Sequence, residues 1–542
     1  MKQTILILGL LIFNIVSSIA QTFDRQDSLR GSITPERAWW DLKHYKLMVS
    51  VDPDSRSIQG SNTITYRVLQ PESVMQIDLQ APMKIDSVIH DKKLLTFTSE
   101  GSAHYIQFPK EQSKDGEEQL TIHFSGAPRV ARRPPWDGGF TWQKDANGKP
   151  FVANANQGIG ASVWWPNKDH PYDEPDRGVQ LSITVPKDLV AVGNGRLVGT
   201  NESTNGTTWH WNVSNPINNY GVNINIGDYV HFGETYKGLK GDLDMDYWVL
   251  RDNEAKAKKQ FQQTAGMMEA FEHWFGPYPF YEDSFKLVEV PYLGMEHQSS
   301  VTYGNNYGNG YLGNDLSGTG WGLKFDFIII HEAGHEWFAN NITNQDVADM
   351  WLHEGFTAYS ENLYLDYHFG KEAAADYVIG TRRMIQNDRP IIGTYHVSHE
   401  GSSDMYYKGA NILHTLRQLL EDDQKWRSIL VGLNKDFYHQ TVSSAMVEKY
   451  ISKAAGIDLT EFWGQYLRTT MIPLVEYKIE GNRLSFRYED VIKGFDMPVI
   501  AVINGKEEWI FPTSEWKSRT FSETIQSMEI KRDFYVNSEK LE

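Results

Sequence analysis

The stretch His331-Glu332-Ala333-Gly334-His335-Glu336-Trp337-Phe338-Ala339-Asn340, followed by Trp351-Leu352-His353-Glu354-Gly355-Phe356, decides how this chain is read. On a helix, positions i and i+4 share one face. His331 and His335 can therefore bind one zinc ion, and Glu332 lies between them, able to reach a water on that metal. Glu354 offers a third ligand. Three protein ligands leave a fourth position open, which is the layout of a catalytic rather than a structural zinc. Phe327-Ile328-Ile329-Ile330 precedes the motif and Trp337 and Phe338 follow the second histidine, so the helix is expected to be buried. The chemistry implied is hydrolysis by a metal-activated water.

Upstream of this motif, Asp252 to Phe275 is rich in Ala, Lys, Gln, Met and Phe and predicts one helix, ended by Gly276-Pro277-Tyr278-Pro279. Phe285 to Val290 predicts a buried strand. Thr302 to Gly322, dense in Gly, Asn and Tyr, predicts a loop. Downstream, helices are expected to continue to about Thr470. Farther out on both sides the period changes to two. Tyr45, Leu47, Val49 and Val51 share a face, as do Ile64, Tyr66 and Val68, with turn signals at Asp52-Pro53-Asp54 and Asn194-Gly195. The tail alternates again in Tyr477-Lys478-Ile479, Leu484-Ser485-Phe486 and Val499-Ile500-Ala501-Val502. The expected fold class is multidomain α+β, with an antiparallel β domain over 21–234, a mainly helical zinc domain over 235–470 and a small C-terminal β sandwich over 471–542.

At 542 residues and 62.1 kDa the chain exceeds what one core supports. A formal net charge of -18 and a pI near 5.4 argue against nucleic acid or an anionic membrane as partner. Lys2, the apolar run Ile5 to Val16 and the small residues of Ser18-Ile19-Ala20 predict a signal peptide over 1–20, cut before Gln21, with no stable membrane insertion afterwards. The chain has no cysteine, which excludes thiolate chemistry and fits an exported bacterial protein, periplasmic or secreted.

The two quoted stretches resemble the aminopeptidase N family of gluzincin metallopeptidases, in which eighteen residues separate the second histidine from the ligand glutamate, as they do here. The resemblance implies a thermolysin-like catalytic domain holding one Zn2+ per chain on His331, His335 and Glu354, with Glu332 as general base. Leu293-Gly294-Met295-Glu296-His297 resembles the family's G-x-M-E-N strand, with Leu293 in place of the first Gly and His297 in place of Asn. That match implies Glu296 as the group that binds a substrate's free α-amine, and Gly294 and Met295 as substrate-backbone contacts. Tyr406-Tyr407-Lys408-Gly409 resembles Y-x-K-G and implies that Tyr406 donates to the oxyanion. Gln157, nine residues before Pro166, matches a family glutamine that helps hold the amine. Glu361, seven residues after Glu354, matches a glutamate that orients a ligand histidine. Too few residues follow Thr470 for the large helical domain that ends many relatives.

The function implied is removal of N-terminal residues from peptides with a free N-terminus. A thermolysin-like endopeptidase shares the zinc motif but needs no amine anchor, so Glu296 speaks against it. A non-catalytic zinc-bearing binding protein would be free to lose Glu332 or Tyr406. An epoxide hydrolase activity beside peptidase activity, which one branch of the family shows, is selected by nothing in the chain. Gln157, Met295 and the loop from Thr302 to Gly322 are expected near the substrate side chain. The sequence does not set the oligomeric state.

Overall fold

The computed structural model describes residues 22–542, so the signal peptide expected over 1–20 lies outside the described residues. Two short helices, Arg25–Gly31 and Pro35–Ala38, lead into a ten-stranded sheet. Its centre is the long hairpin Trp40–Asp52 and Ser57–Val68, turned where the Asp52 carboxylate accepts hydrogen bonds from the backbone of Asp54 and Ser55. The alternating residues read from the sequence, Tyr45, Leu47, Val49, Ile64, Tyr66 and Val68, all point into one buried core. The domain is not wholly antiparallel, as expected from its sequence, because Trp40–Asp52 also pairs in parallel with Val179–Val185. The chain returns to this strand only after building most of the domain, and a long crossover permits parallel pairing where a hairpin does not. A smaller sheet, in the order Val190–Gly193, Ile224–Gly227, Pro150–Ala155 and Gly139–Lys144, contributes to the same core.

Next comes a five-stranded mixed sheet, in the order Tyr229–Gly238, Gly241–Leu250, Phe285–Glu289, Val301–Tyr303 and Gly294–Met295. In Gly241–Leu250 one face is apolar throughout and the other, which begins with Asp242, Asp244 and Asp246, becomes apolar at its end. Leu243, Met245, Tyr247 and Val249 pack into the helical core, whereas Trp248 and Leu250 pack into the β-domain core. This sheet is the shared wall between the two cores. The boundary read at 234/235 therefore falls inside the strand Tyr229–Gly238. The single helix expected over 252–275 is instead two, Glu254–Gln260 and Gln263–Phe275. They break where the Phe261 ring packs 5.3 Å from Tyr247 and 5.0 Å from Tyr303, a tertiary contact that local composition does not register.

The histidine motif sits on Phe327–Gly334, with Asp326 capping the first turn through Ile328 N at 3.1 Å. Phe327 to Ile330 are thus the helix's own first turn. His335 follows the last helical residue with helical φ and ψ (-65°, -18°), which keeps it on the face of His331. Glu354 and Glu361 lie on the long helix Trp351–Phe369, and Tyr406 begins the helix Tyr407–Leu420. Glycines set the distances between these helices. A Cβ on Gly334 would meet Ser360 Oγ at 2.5 Å, and one on Gly409 would meet the Gly355 Cα at 2.8 Å. The Gly355–Gly409 contact joins the residue after Glu354 to the residue three beyond Tyr406.

The C-terminal strands form a four-stranded and a three-stranded sheet. Val475, Leu484, Phe486 and Val499 from them join the same hydrophobic cluster as the helices. No helix among the described residues is long and apolar enough to cross a membrane.

Two predictions follow from this packing. Gly409→Ala forces two helix backbones apart, and overpacking of this kind costs about 1–3 kcal/mol. A denaturant midpoint equal to that of the parent would mean that the helices separate without cost. The second concerns Glu174, whose carboxyl Oε1 lies 2.7 Å from Thr343 Oγ1 between the β domain and the helical domain. Burial pushes its pKa from an ordinary 4.5 up to about 8. The folded state therefore holds a proton that the unfolded state releases, so stability falls as pH rises from about 4.5 to 8. Glu174→Gln should raise stability at pH 8 by on the order of 4 kcal/mol and change it little at pH 4. Equal midpoint shifts at both pH values would refute that assignment.

Candidate active site

Three side chains from two helices meet in one buried cluster. The Glu354 Oε2 lies 3.7 Å from His331 Nε2 and 3.3 Å from His335 Nε2. Each imidazole has its other nitrogen occupied. His331 Nδ1 is 2.7 Å from Glu361 Oε1, and Glu361 also accepts from the Tyr377 hydroxyl. His335 Nδ1 lies 3.0 Å from both the Phe338 carbonyl and the Thr357 hydroxyl. These partners fix both rings with Nε2 facing Glu354, as metal-bound histidines require.

The ligand atoms of His331, His335 and Glu354 all lie within 4.8 Å of one another. The Glu354 Oε2 is buried and has no hydrogen-bond partner, which fits an oxygen kept for a metal. Glu296, Glu332 and His335 form a second group of the same size. There, however, the Glu296 Oε1 is already taken by Gln157 and Tyr220. Two imidazoles and a carboxylate also suit a borderline cation such as zinc better than one imidazole and two carboxylates.

Burial opposes ionisation of Glu354, but the two imidazoles hold it well below the usual carboxylate range. For Glu332, burial with added repulsion from Glu296, partly offset by His331, pushes the carboxyl up to about 7. Burial, followed by Glu354 and Glu296, raises the Tyr406 phenol well above its ordinary value, so it remains a proton donor. Its ring lies nearly parallel to that of His331, with centroids 6.1 Å apart.

Glu296 directly follows the edge strand Gly294–Met295. Gly294 has a steric reason: a Cβ there would meet Ile328 Cγ2 at 2.7 Å and Glu332 Oε1 at 3.1 Å. The glycine lets the edge strand lie against the helix that carries Glu332. Gln157 arrives from the β domain, and its Nε2 donates to Glu296 Oε1 and to Glu354 Oε1, each at 2.8 Å. A cavity of about 410 Å³ opens onto the cluster, and His331, Glu332, His335, Glu354, Glu296, Gln157, Gly294, Met295 and Tyr406 all line it. Glu361 sits behind His331, outside the cavity wall. Tyr311 and Leu316, from the loop expected near the substrate side chain, also line the cavity.

Several side chains escaped the sequence reading. The Tyr220 hydroxyl donates to Glu296 Oε1 at 3.1 Å, and Asn340 Nδ2 donates to the Glu296 carbonyl at 2.8 Å. Tyr377 supports Glu361, while Pro135 and Trp136 bring a β-domain loop to the cavity mouth. Asn340 was in view as part of the quoted motif, but its contact was not. Tyr220 and Trp136 belong to no local pattern and reach the site only through tertiary folding.

Comparison with known proteins places the two domains that carry these residues in one family. The Peptidase family M1 domain matches residues 259–466, and the Peptidase M1 N-terminal domain matches residues 42–220. A leucyl aminopeptidase of Saccharolobus solfataricus is 21% identical over 395 residues, which are 67% of this chain and 48% of that protein. The leukotriene A-4 hydrolase of Xenopus laevis is 23% identical over 481 residues, covering 82% of this chain and 74% of that protein. The chain thus spans about half the length of the first of these relatives. Among solved structures, an M1 zinc metallopeptidase from Deinococcus radiodurans, a mutant bound to a Tyr-Ser-Ala substrate, has the same fold. It superposes with a TM-score of 0.68 at 21% identity, over 81% of this chain and 96% of that one. With the helical domain that holds the histidine motif and the β domain that supplies Gln157 both matched, the chain belongs to peptidase family M1.

Proposed function

We propose that this protein is a zinc-dependent aminopeptidase that removes N-terminal residues from peptides. The observation that carries the reading is the position of Glu296: a buried carboxylate beside the His331, His335 and Glu354 cluster, in the wall of the cavity that holds Glu332. A buried carboxylate there is costly unless a cation meets it, and a substrate's α-ammonium is such a cation. A peptide anchored in this way has its first peptide bond close to Glu332 and Tyr406. The aminopeptidase names of relatives such as that of Saccharolobus solfataricus support the same reading.

One zinc ion per chain, held by His331, His335 and Glu354, would polarise the scissile carbonyl and lower the pKa of water. Glu332, with its carboxyl poised near neutrality, takes the proton of the attacking water and delivers it to the leaving amine. Tyr406 keeps its proton and donates a hydrogen bond to the oxyanion, an interaction worth most in the transition state. Glu296, Gln157 and Tyr220 hold the ammonium, while Gly294 and Met295 run along the substrate backbone. Glu361 keeps His331 oriented through its Nδ1. The charge and apolar run of residues 2 to 16 support export to a periplasmic or extracellular space, where peptides are substrates.

The test is one digestion followed by mass spectrometry, using an unblocked peptide and its N-acetylated twin. Stepwise trimming of the free peptide alone is expected. Internal cleavage of both would mean an endopeptidase and would remove the amine-anchor role of Glu296. Glu332→Gln should reduce turnover by at least about 10²-fold with the metal retained. Tyr406→Phe should lower kcat by about 10²–10³-fold with little change in KM. A Tyr406→Phe enzyme of normal kcat would take the hydroxyl out of the chemistry.

A further inference from the structure

The Gln157 amide touches two carboxylates that the reading above gives different tasks. Its Nε2 lies 2.8 Å from Glu296 Oε1 and 2.8 Å from Glu354 Oε1. A side-chain amide carries two N–H donors on one nitrogen, so both bonds can be made at once. We propose that Gln157 is a positioning residue for the metal ligand Glu354 as well as a contact for the substrate amine. On this view, amine recognition and metal affinity are coupled through one side chain. The inference rests on the aminopeptidase reading only for the role of Glu296; its metal half stands on the Glu354 contact.

The geometry around Glu354 carries the argument. Its two oxygens have different surroundings: Oε1 accepts from Gln157, whereas Oε2 faces both imidazoles and has no hydrogen-bond partner. The bond to Oε1 therefore selects the oxygen presented to the metal. The amide also bridges two buried carboxylates, and it is the donor that the two share.

Gln157 is held for this task by the β domain. It sits in a turn closed by bonds from Ile159 N to the Gln157 carbonyl and from Gly160 N to the Asn156 carbonyl, each 2.8 Å. Gly158 and Gly160, at φ +72° and +86°, make the turn possible. The Ile159 carbonyl accepts from Arg30 and from Gln80 Nε2, which anchors the turn on two further elements. Tyr220 provides the internal contrast, because its hydroxyl donates to Glu296 and makes no hydrogen bond to Glu354.

The test compares the full-length protein with Gln157→Ala, Gln157→Met and Tyr220→Phe. Methionine fills the glutamine's volume without a donor and so guards against a folding defect in the alanine variant. Each protein is stripped of metal and titrated with Zn2+ alone against a chromophoric chelator. KM for an unblocked dipeptide is then measured on the zinc-loaded forms. Both Gln157 variants should bind zinc about 10–100-fold more weakly, the usual cost of losing a partner that orients a metal ligand. Tyr220→Phe should keep the parent zinc affinity while KM rises. Unchanged zinc affinity in both Gln157 variants would overturn the proposal, even with a raised KM. So would an equal loss in Tyr220→Phe, since that would report general disturbance of the site. A parent protein that binds zinc but trims no peptide would sink the aminopeptidase reading alone, because the titration needs no substrate.

Discussion

The structure depends on burying Glu296, Glu332, Glu354 and Glu361 together within a few side chains of one another. Carboxylates taken out of water are costly singly and repel one another collectively. Each here is given a specific counterweight. Glu354 faces two imidazoles, Glu361 has an imidazole and a phenol, and Glu296 has an amide, a phenol and a nearby histidine. Glu332 has no such close donor, and burial with repulsion from Glu296 pushes its carboxyl up to about 7; burial also raises that of Glu296. A carboxyl near physiological pH thus arises where burial and a like charge act without a close hydrogen-bond donor.

That arrangement requires close backbones. Gly334 against Ser360, Gly355 against Gly409 and Gly294 against Ile328 and Glu332 are three places where a Cβ would push apart elements that carry site residues. Each glycine lies within three residues of a cluster side chain. The motifs quoted from the sequence are therefore packing motifs as much as chemical ones. In Tyr406-Tyr407-Lys408-Gly409 the glycine lets Tyr406 come up beside His331. Lys408 is turned away, with its Nζ bonded to the Thr469 carbonyl at 3.1 Å.

The β domain takes part in the site as well as in the scaffold. Its core and the helical core share the strand Gly241–Leu250 as a wall, with alternate residues facing each way. The same β domain sends Gln157 and Tyr220 to Glu296, and Trp136 to the cavity mouth. Asn218 extends the connection: it donates to Asn340 Oδ1 at 2.9 Å, and Asn340 holds the Glu296 carbonyl. The Glu296 end of the cavity is thus assembled between the domains.

What the sequence alone determined was whatever repeats or clusters locally. The i, i+4 histidines, the ligand at a set interval, the seven-residue step to Glu361 and the period-two strands of the β domain each follow from the geometry of one element. The broad order of β, helical and β segments was legible for the same reason. Tertiary structure decided what depends on chain segments far apart in sequence. It broke the helix at Phe261, where a ring is drawn into the helical core, and it let one pairing in the large sheet run parallel through a long crossover. It brought Tyr220 to Glu296 across 76 residues and Gln157 to Glu354 across 197. No local propensity encodes such contacts, because a side chain of ordinary type becomes a site residue only when a distant segment folds against it.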